Sequence, residues 1–294
     1  MTDAVGPNRV SKSGSEFVVI GAGLAGLAAA GTLHRAGREV LVLERYDAVG
    51  GRVRTDCESG FLLDRGFQVL LTAYPELDRH LDLSALNLRP FLRGANVWDG
   101  NSFVELADPR SSFRGALNGL RTSVLTHADR IRLLSLALRL RRSRVGLFDN
   151  AADRPMRQFL TEMKFSASSI DAIWEPLFSG IQLTSSLEGS ARLGSLILRC
   201  LILGPAAVPA AGMQAIPEQM ASNLPPGSIR LGAEVVNLNG TEVSLSSGEV
   251  IEAYVFGKVL DRITAAPVIG PGGKRLDKKI PKKEIPARVA EMLN

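Results

Sequence analysis

The sequence predicts an α/β fold in which a mostly helical region interrupts a domain built on a parallel sheet. Three observations predict it. Residues 17–44 read as strand, glycine turn, helix and second strand. From about residue 74 to about residue 225, apolar residues recur at helical spacing. From Ile229 to Phe256 the alternation of strands returns around an Asn239-Gly240 turn signal.

Residues 1–15 lack the apolar centre of a signal peptide and read as a disordered leader. Phe17-Val18-Val19-Ile20 is the continuous apolar run that a parallel strand buried on both faces carries. Gly21-Ala22-Gly23-Leu24-Ala25-Gly26 follows at once. Gly21 permits the tight turn, Gly23 lets a pyrophosphate approach the backbone, and Gly26 lets a helix pack closely on the strand. Leu24 to Ala36 is rich in alanine and leucine and has no proline, so it favours helix. Its N-terminus would aim free N–H groups and a positive dipole end at phosphates. Gly37 stands where a helix C-terminal glycine belongs. Val40 to Leu43 is a second buried strand, and Glu44 closes it 23 residues after Gly21. That is near the spacing at which an acid accepts hydrogen bonds from a ribose, so Glu44→Ala is expected to weaken a dinucleotide and spare the fold. The competing reading is a glycine-rich turn in an ordinary βαβ unit.

A chain of 294 residues can form one large domain or two modest ones. The net charge of +5 is mild for this length and the arginines are scattered, which argues against a nucleic-acid partner. Cys57 and Cys200 are far apart and form no CxxC, which fits a reducing compartment (cytoplasm, or plastid in a photosynthetic eukaryote) and no metal site. His34, His80 and His127 have no ligand spacing. The apolar run Leu193 to Leu203 is too short to span a bilayer and contains Arg199.

After Glu44 and Arg45 come Gly50-Gly51-Arg52, Thr55, Gly60-Phe61, Asp64 and Gly66-Phe67-Gln68. Paired glycines let backbone N–H groups approach an anion, and Arg52 adds a guanidinium suited to pyrophosphate. Together with the Gly21–Leu27 and Val40–Glu44 runs, these residues resemble the start of the FAD-dependent amine oxidase superfamily. That group includes monoamine and polyamine oxidases, protoporphyrinogen oxidase and the phytoene desaturases. The stretch Asp64 to Leu77, DRGFQVLLTAYPEL, is most similar to its phytoene-dehydrogenase-like branch.

The resemblance covers about residues 15–256 and implies a discontinuous Rossmann-like FAD-binding domain (16–75 with 226–256) and an inserted, mostly helical substrate domain (76–225). It implies FAD as cofactor, held by Gly21, Ala22, Gly23, Leu24, Ala25, Gly26, Glu44, Arg45, Gly50, Gly51 and Arg52. Gly66, Phe67 and Gln68 would run beside the isoalloxazine ring, and the Val235 backbone would contact the adenine end. The substrate would be a small molecule, amine, porphyrin or isoprenoid, giving a hydride from a C–N or C–C bond to flavin. A redox-neutral flavin isomerase or mutase shares these motifs, and a non-catalytic dinucleotide-binding fragment is a third reading. No residue is assignable as a catalytic acid or base.

Within the insert, helices are expected at Ala73–Asp82, Ala128–Arg144, Pro155–Glu162, Ser169–Leu177 and Leu187–Leu203. Trp174, Phe178, Leu196, Ile197 and Leu201 could line an apolar tunnel or simply form core. The arginine-rich, leucine-rich helix at 128–144 fits either a solvated basic face over a packed leucine face or peripheral contact with an anionic membrane. Ala211 to Ile216 matches a family landmark, though a glycine is usual at Ala211. From Ile229 a three-stranded meander is expected. The family pattern stops after Phe256, and six of the chain's eight lysines lie in 258–294. This atypical lysine-rich tail, 257–294, is faintly similar to the close of sirohaem sulfite and nitrite reductases and is expected to lie outside the flavin site.

Overall fold

A sheet of four parallel strands carries the apolar runs at residues 17–20 and 40–43 side by side at its centre. The structure, a computed structural model, describes residues 10–11, 15–66, 69–108, 112–122, 124–143, 153–184 and 186–258. In chain order the elements begin β1 (Val10–Ser11), β2 (Phe17–Ile20), α1 (Leu24–Arg35), β3 (Val40–Leu43), β4 (Thr55–Glu58) and β5 (Phe61–Asp64). There follow β6 (Leu70–Leu71), α2 (Leu77–His80), β7 (Leu88–Pro90), β8 (Gly94–Trp98), β9 (Phe103–Ala107), α3 (Phe113–Arg121) and α4 (His127–Arg142). Next come α5 (Met156–Glu162), α6 (Ala167–Ser169), a π-helical turn (Ile170–Trp174), α7 (Glu175–Gln182), α8 (Ala191–Leu203) and β10 (Ala206–Pro209). The last are α9 (Ala215–Ser222), β11 (Ile229–Arg230), β12 (Val235–Asn239), β13 (Glu242–Leu245), β14 (Val250–Glu252) and β15 (Tyr254–Lys258).

The described residues fall into two units. The first takes those within Met1–Gln68, Arg79–Leu86 and Pro209–Asn294, the second those within Val69–Asp78 and Asn87–Val208. In the first unit, β11-β3-β2-β15 form the parallel sheet, with Phe17 opposite Val40 on one side of β2 and Tyr254 on the other. Val18, Val19 and Val42 are fully buried, which is why this sequence stretch shows no polar alternation. The α1 helix ends as its glycine requires. Gly37 has φ +75°, its N–H reaches His34 O, and Arg38 N–H reaches Leu33 O.

A second sheet in this unit has the order β1-β14-β13-β12. The β12–β13 hairpin turns at Gly240-Thr241, with Gly240 at φ +61°. Val243, Leu245 and Ile251 share a buried cluster with Val18, Leu41 and Leu43 of the parallel sheet, so burial of both sheets' apolar faces holds the unit together. The meander is narrower than the sequence suggests. Ile229–Arg230 leaves it to pair with β3, and the last expected strand divides at buried Ala253 into β14 and β15. Val10–Ser11, expected in a structureless leader, pairs in parallel with Val250–Ile251.

The second unit contains β6, β10 and β7 as a three-stranded sheet, the β8–β9 hairpin and helices α3 to α8. Helix outweighs strand there, and the sheet and hairpin are additions to the mostly helical insert that the sequence predicts. Helix α2 is only Leu77–His80 because Pro75 disfavours helix at Tyr74. The expected Ser169–Leu177 helix runs on to Gln182 through the π-helical turn. The helix expected from Leu187 starts at Ala191, where the Ser190 hydroxyl accepts from Leu193 N–H. Arg144 and the residues after Lys258 lie outside the described residues. Trp174 and Phe178 stack at a 6.2 Å centroid separation inside a core with Leu136, Leu140, Met156 and Leu160. Ile197 is buried beside Leu71 and Cys200, with Leu196 and Leu201 packed against them, so these five side chains belong to core.

Candidate functional site: a cradle between two glycine turns

The first turn leaves β2 with Gly21 at φ +98°, its N–H bonded to Leu43 O at 2.8 Å. Gly23 is the N-cap of α1 and has no side chain to cap it, and the first turn of the helix holds no acid. The opening N–H groups of α1 therefore keep their donors free and their end of the helix positive. A Cβ on Gly26 would overlap the Gly21 carbonyl, whereas one on Gly23 would meet nothing within 4 Å. The first glycine contact is packing; the second faces open space.

The second turn closes on the first. Gly50 N–H donates to Ala22 O at 2.8 Å, and Gly50 forms a parallel bridge with Gly23. Gly50 and Gly51 have φ of +114° and +58°, and a Cβ on Gly51 would lie 3.5 Å from Gly23 Cα. Arg52 follows, exposed and without an ion pair among the described residues. Its neighbour Arg54 is held by Asp47 at 3.1 Å. Gly66 lies against the Arg52 backbone, where a Cβ would come 2.6 Å from Arg52 O. Phe67 and Gln68 lie outside the described residues.

Glu44 is only 5% exposed. Its Oε2 accepts from Ala22 N–H at 2.7 Å and its Oε1 from Tyr46 N–H at 3.0 Å. The carboxylate thus ties the glycine turn to the end of β3, a structural task that the sequence reading left out. Two carboxylate oxygens offer about four acceptor positions, so capacity for a ribose hydroxyl remains. Ala233 N–H bonds Glu44 O at 2.8 Å and Gly232 N–H bonds Tyr46 O at 3.0 Å, which brings the start of β12, and with it Val235, to this end of the cradle. Arg45 is exposed, its guanidinium 4.6 Å from the centre of the Tyr46 ring.

Sequence reasoning missed a support. Gly212-Met213-Gln214, assigned to the insert, belongs to the first unit, so the chain returns there at Pro209 and not at 226. Met213 N–H donates to Asp64 Oδ1 and Gln214 N–H to Thr55 Oγ1, both at 2.9 Å. Thr55 Oγ1 donates to Asp64 Oδ1 at 2.6 Å, and Gln214 Nε2 donates to Val49 O at 2.9 Å. Gly212, at φ +86°, sits so close to Thr55 that a Cβ would lie 2.5 Å from its Cγ2. Helix α9 continues from this clamp and packs on α1. The signal was present as a glycine followed by a side-chain donor at Gln214, but its partners lie about 150 residues earlier.

The cradle suits an anionic diphosphate: backbone donors, a positive helix end, a guanidinium with no ion pair among the described residues and no side chain at Gly23. The buried Cys200 thiol is pushed up by burial and gives its hydrogen to Ala73 O at 3.5 Å, which is not the setting of a nucleophile.

A family model described as flavin containing amine oxidoreductase matches residues 24–260. Protoporphyrinogen oxidase 2 of Arabidopsis thaliana, chloroplastic/mitochondrial, is 26% identical over 168 residues, 57% of this chain and 32% of that protein. A variant from a redesign of cofactor binding in putrescine oxidase aligns at 25% identity and a TM-score of 0.55, over 82% of this chain and 57% of its own. A protein from Pyrococcus furiosus, 18% identical, shares the fold at a TM-score of 0.62 over 94% of this chain and 64% of its own. The chain therefore spans less than two thirds of these relatives.

Proposed function

The chain belongs to the family of flavin-containing amine oxidoreductases, and from that premise we propose that it is an FAD-dependent oxidoreductase that grips its cofactor in the cradle between Gly23 and Gly51. The observation that carries this is the meeting of the two glycine turns. Gly50 N–H reaches Ala22 O, Gly51 faces Gly23, and Arg52 beside them has no ion pair among the described residues. An NAD site needs the first turn alone; the second adds donors and charge for the diphosphate of a flavin dinucleotide.

Each residue then has a task. The N–H groups at the start of α1 and at Gly51 hold the phosphates, and Arg52 neutralises them. Glu44 accepts from the adenosine ribose while keeping the Ala22 turn in shape. The Val235 backbone lies at the adenine end, and Gly66 to Gln68 would follow the ring. FAD, when bound, would supply the hydride acceptor for dehydrogenation of a small or apolar organic molecule, in which a C–H hydride passes to flavin and a proton is lost as a C–N or C–C bond becomes double. The named relatives, a protoporphyrinogen oxidase and a putrescine oxidase, support that substrate class.

Heating the purified chain should release FAD, read by fluorescence and chromatography. Arg52→Ala should weaken FAD by about one to two decades, the worth of a charge-assisted hydrogen bond of about 1.5–3 kcal/mol. Release of NAD alone, or unchanged affinity in the variant, would overturn the proposal.

A further inference from the structure

Helix α4 splits its apolar residues between two faces. Leu136 and Leu140 are buried in the core of the second unit. Ile131, Leu134 and Leu138 point the other way and are 71%, 62% and 44% exposed. Their spacing of three and four residues makes them one stripe on the helix. This corrects the reading of a solvated basic face over packed leucines: the outward face is apolar at its centre. Arg139 and Arg142 line the same groove as this stripe, with Ser135 and Ser143.

Helix α3 repeats the pattern. Phe113 and Leu120, seven residues apart and so on one face, are 79% and 65% exposed, with Arg114 and Arg121 exposed beside them. The two helices are tied, since Arg130 of α4 donates to Gly119 O and Thr122 O at 2.9 and 2.8 Å. Between Phe113 and Arg142 there are seven arginines and a single acid, Asp129. That acid is fully buried and occupied by Thr126 and Ser166. With Arg130 and Arg132 engaged, five arginines keep free guanidinium groups among the described residues.

We infer that the outward faces of α3 and α4 dock on an anionic lipid membrane surface. An apolar stripe edged by arginines, with no exposed acid among the described residues of α3 and α4, matches the acyl boundary at its centre and lipid phosphates at its edges. Arginine stems reach past the stripe so that their heads meet the phosphates. A second copy of this chain does not fit, because the same face would oppose arginine with arginine and supply no acid to pair with them. Among the described residues no helix is long and apolar enough to cross a membrane, so the contact is with the surface. The inference does not depend on the flavin, so it stands or falls apart from the cofactor assignment.

The test is sedimentation of the full chain with vesicles of phosphatidylcholine alone and of phosphatidylcholine with an equal part of phosphatidylglycerol. The chain should pellet with the anionic vesicles and stay in solution with the neutral ones. The triple change Ile131→Ser, Leu134→Ser, Leu138→Ser removes only exposed side chains, so its circular dichroism should match the parent. Its partition should fall at least about tenfold. Arg139→Gln, Arg141→Gln, Arg142→Gln should abolish the preference for anionic vesicles. If the parent chain remains in the supernatant, or the serine variant pellets equally well, the inference fails. It also fails if light scattering gives a dimer that the serine variant dissolves, since a second copy then covers the stripe.

Discussion

Adding one methyl group at Gly26 or at Gly23 tests two different physical demands. At Gly26 the new atom would overlap backbone at Gly21, so the turn or α1 must move. Overpacking of this kind costs about 1–3 kcal/mol or more. Gly26→Ala should therefore lower the melting temperature of the cofactor-free protein and its FAD content together. At Gly23 the φ of −73° suits alanine and the space is open. Gly23→Ala should melt with the parent when free of cofactor yet lose FAD affinity at least about tenfold, because the methyl stands where phosphate would approach. Equal FAD affinity in Gly23→Ala would place the ligand elsewhere. These glycine roles were legible in the sequence because each follows from local backbone mechanics. The second task of Glu44 was not, since its bond to Ala22 depends on where β3 ends in space.

At the level of elements, the start of α4 shows how a local motif acquires a distant partner. Thr126 and Asp129 form a capping box at the start of α4. Asp129 also accepts from Ser166 N–H at 2.9 Å and Ser166 Oγ at 2.6 Å, which joins α4 to the start of α6. Burial pushes the Asp129 carboxyl up, but the hydrogen bonds from Ser166 and Thr126 together outweigh it and hold the group down at about 2. A carboxylate depressed in the fold stabilises above its unfolded value, and that contribution is lost as pH falls from about 4 toward 2. The contribution is about 2 kcal/mol. In urea unfolding, Asp129→Asn should be less stable than the parent at pH 7, and the gap should shrink steadily below pH 4. A gap independent of pH would mean that the charge is not what matters. Ser166 is 37 residues from Asp129, too far for periodicity to link them. The exposed half of α4 was equally hidden, because leucine spacing alone does not say which face meets the core.

For the whole molecule, the candidate cofactor residues with described positions all fall in the first unit, although that unit draws on three separate stretches of chain. Added FAD should slow amide exchange at Ala22 to Gly26, at Gly50 to Arg52 and along the β2–β15 pairing, and leave α4, α5 and α8 unchanged. Ligand stabilises only what opens with its site; equal protection in both units would mean that they open as one. The βαβ unit and the hairpin at Gly240 could be foreseen, since both are written in adjacent residues. The pairings of β1, β11 and β15 could not, because strand partners distant in sequence leave no periodic trace. The pairing of β15 has a consequence in time. One neighbour of β2 is made at once, as β3, but the other is residues 254–258. Until that last strand leaves the ribosome, β2 waits with an open edge while the second unit, nearly continuous in sequence, can already fold. Assembly is therefore expected to proceed from the inserted unit outward, with β2 gaining its second neighbour only once residues 254–258 have been made.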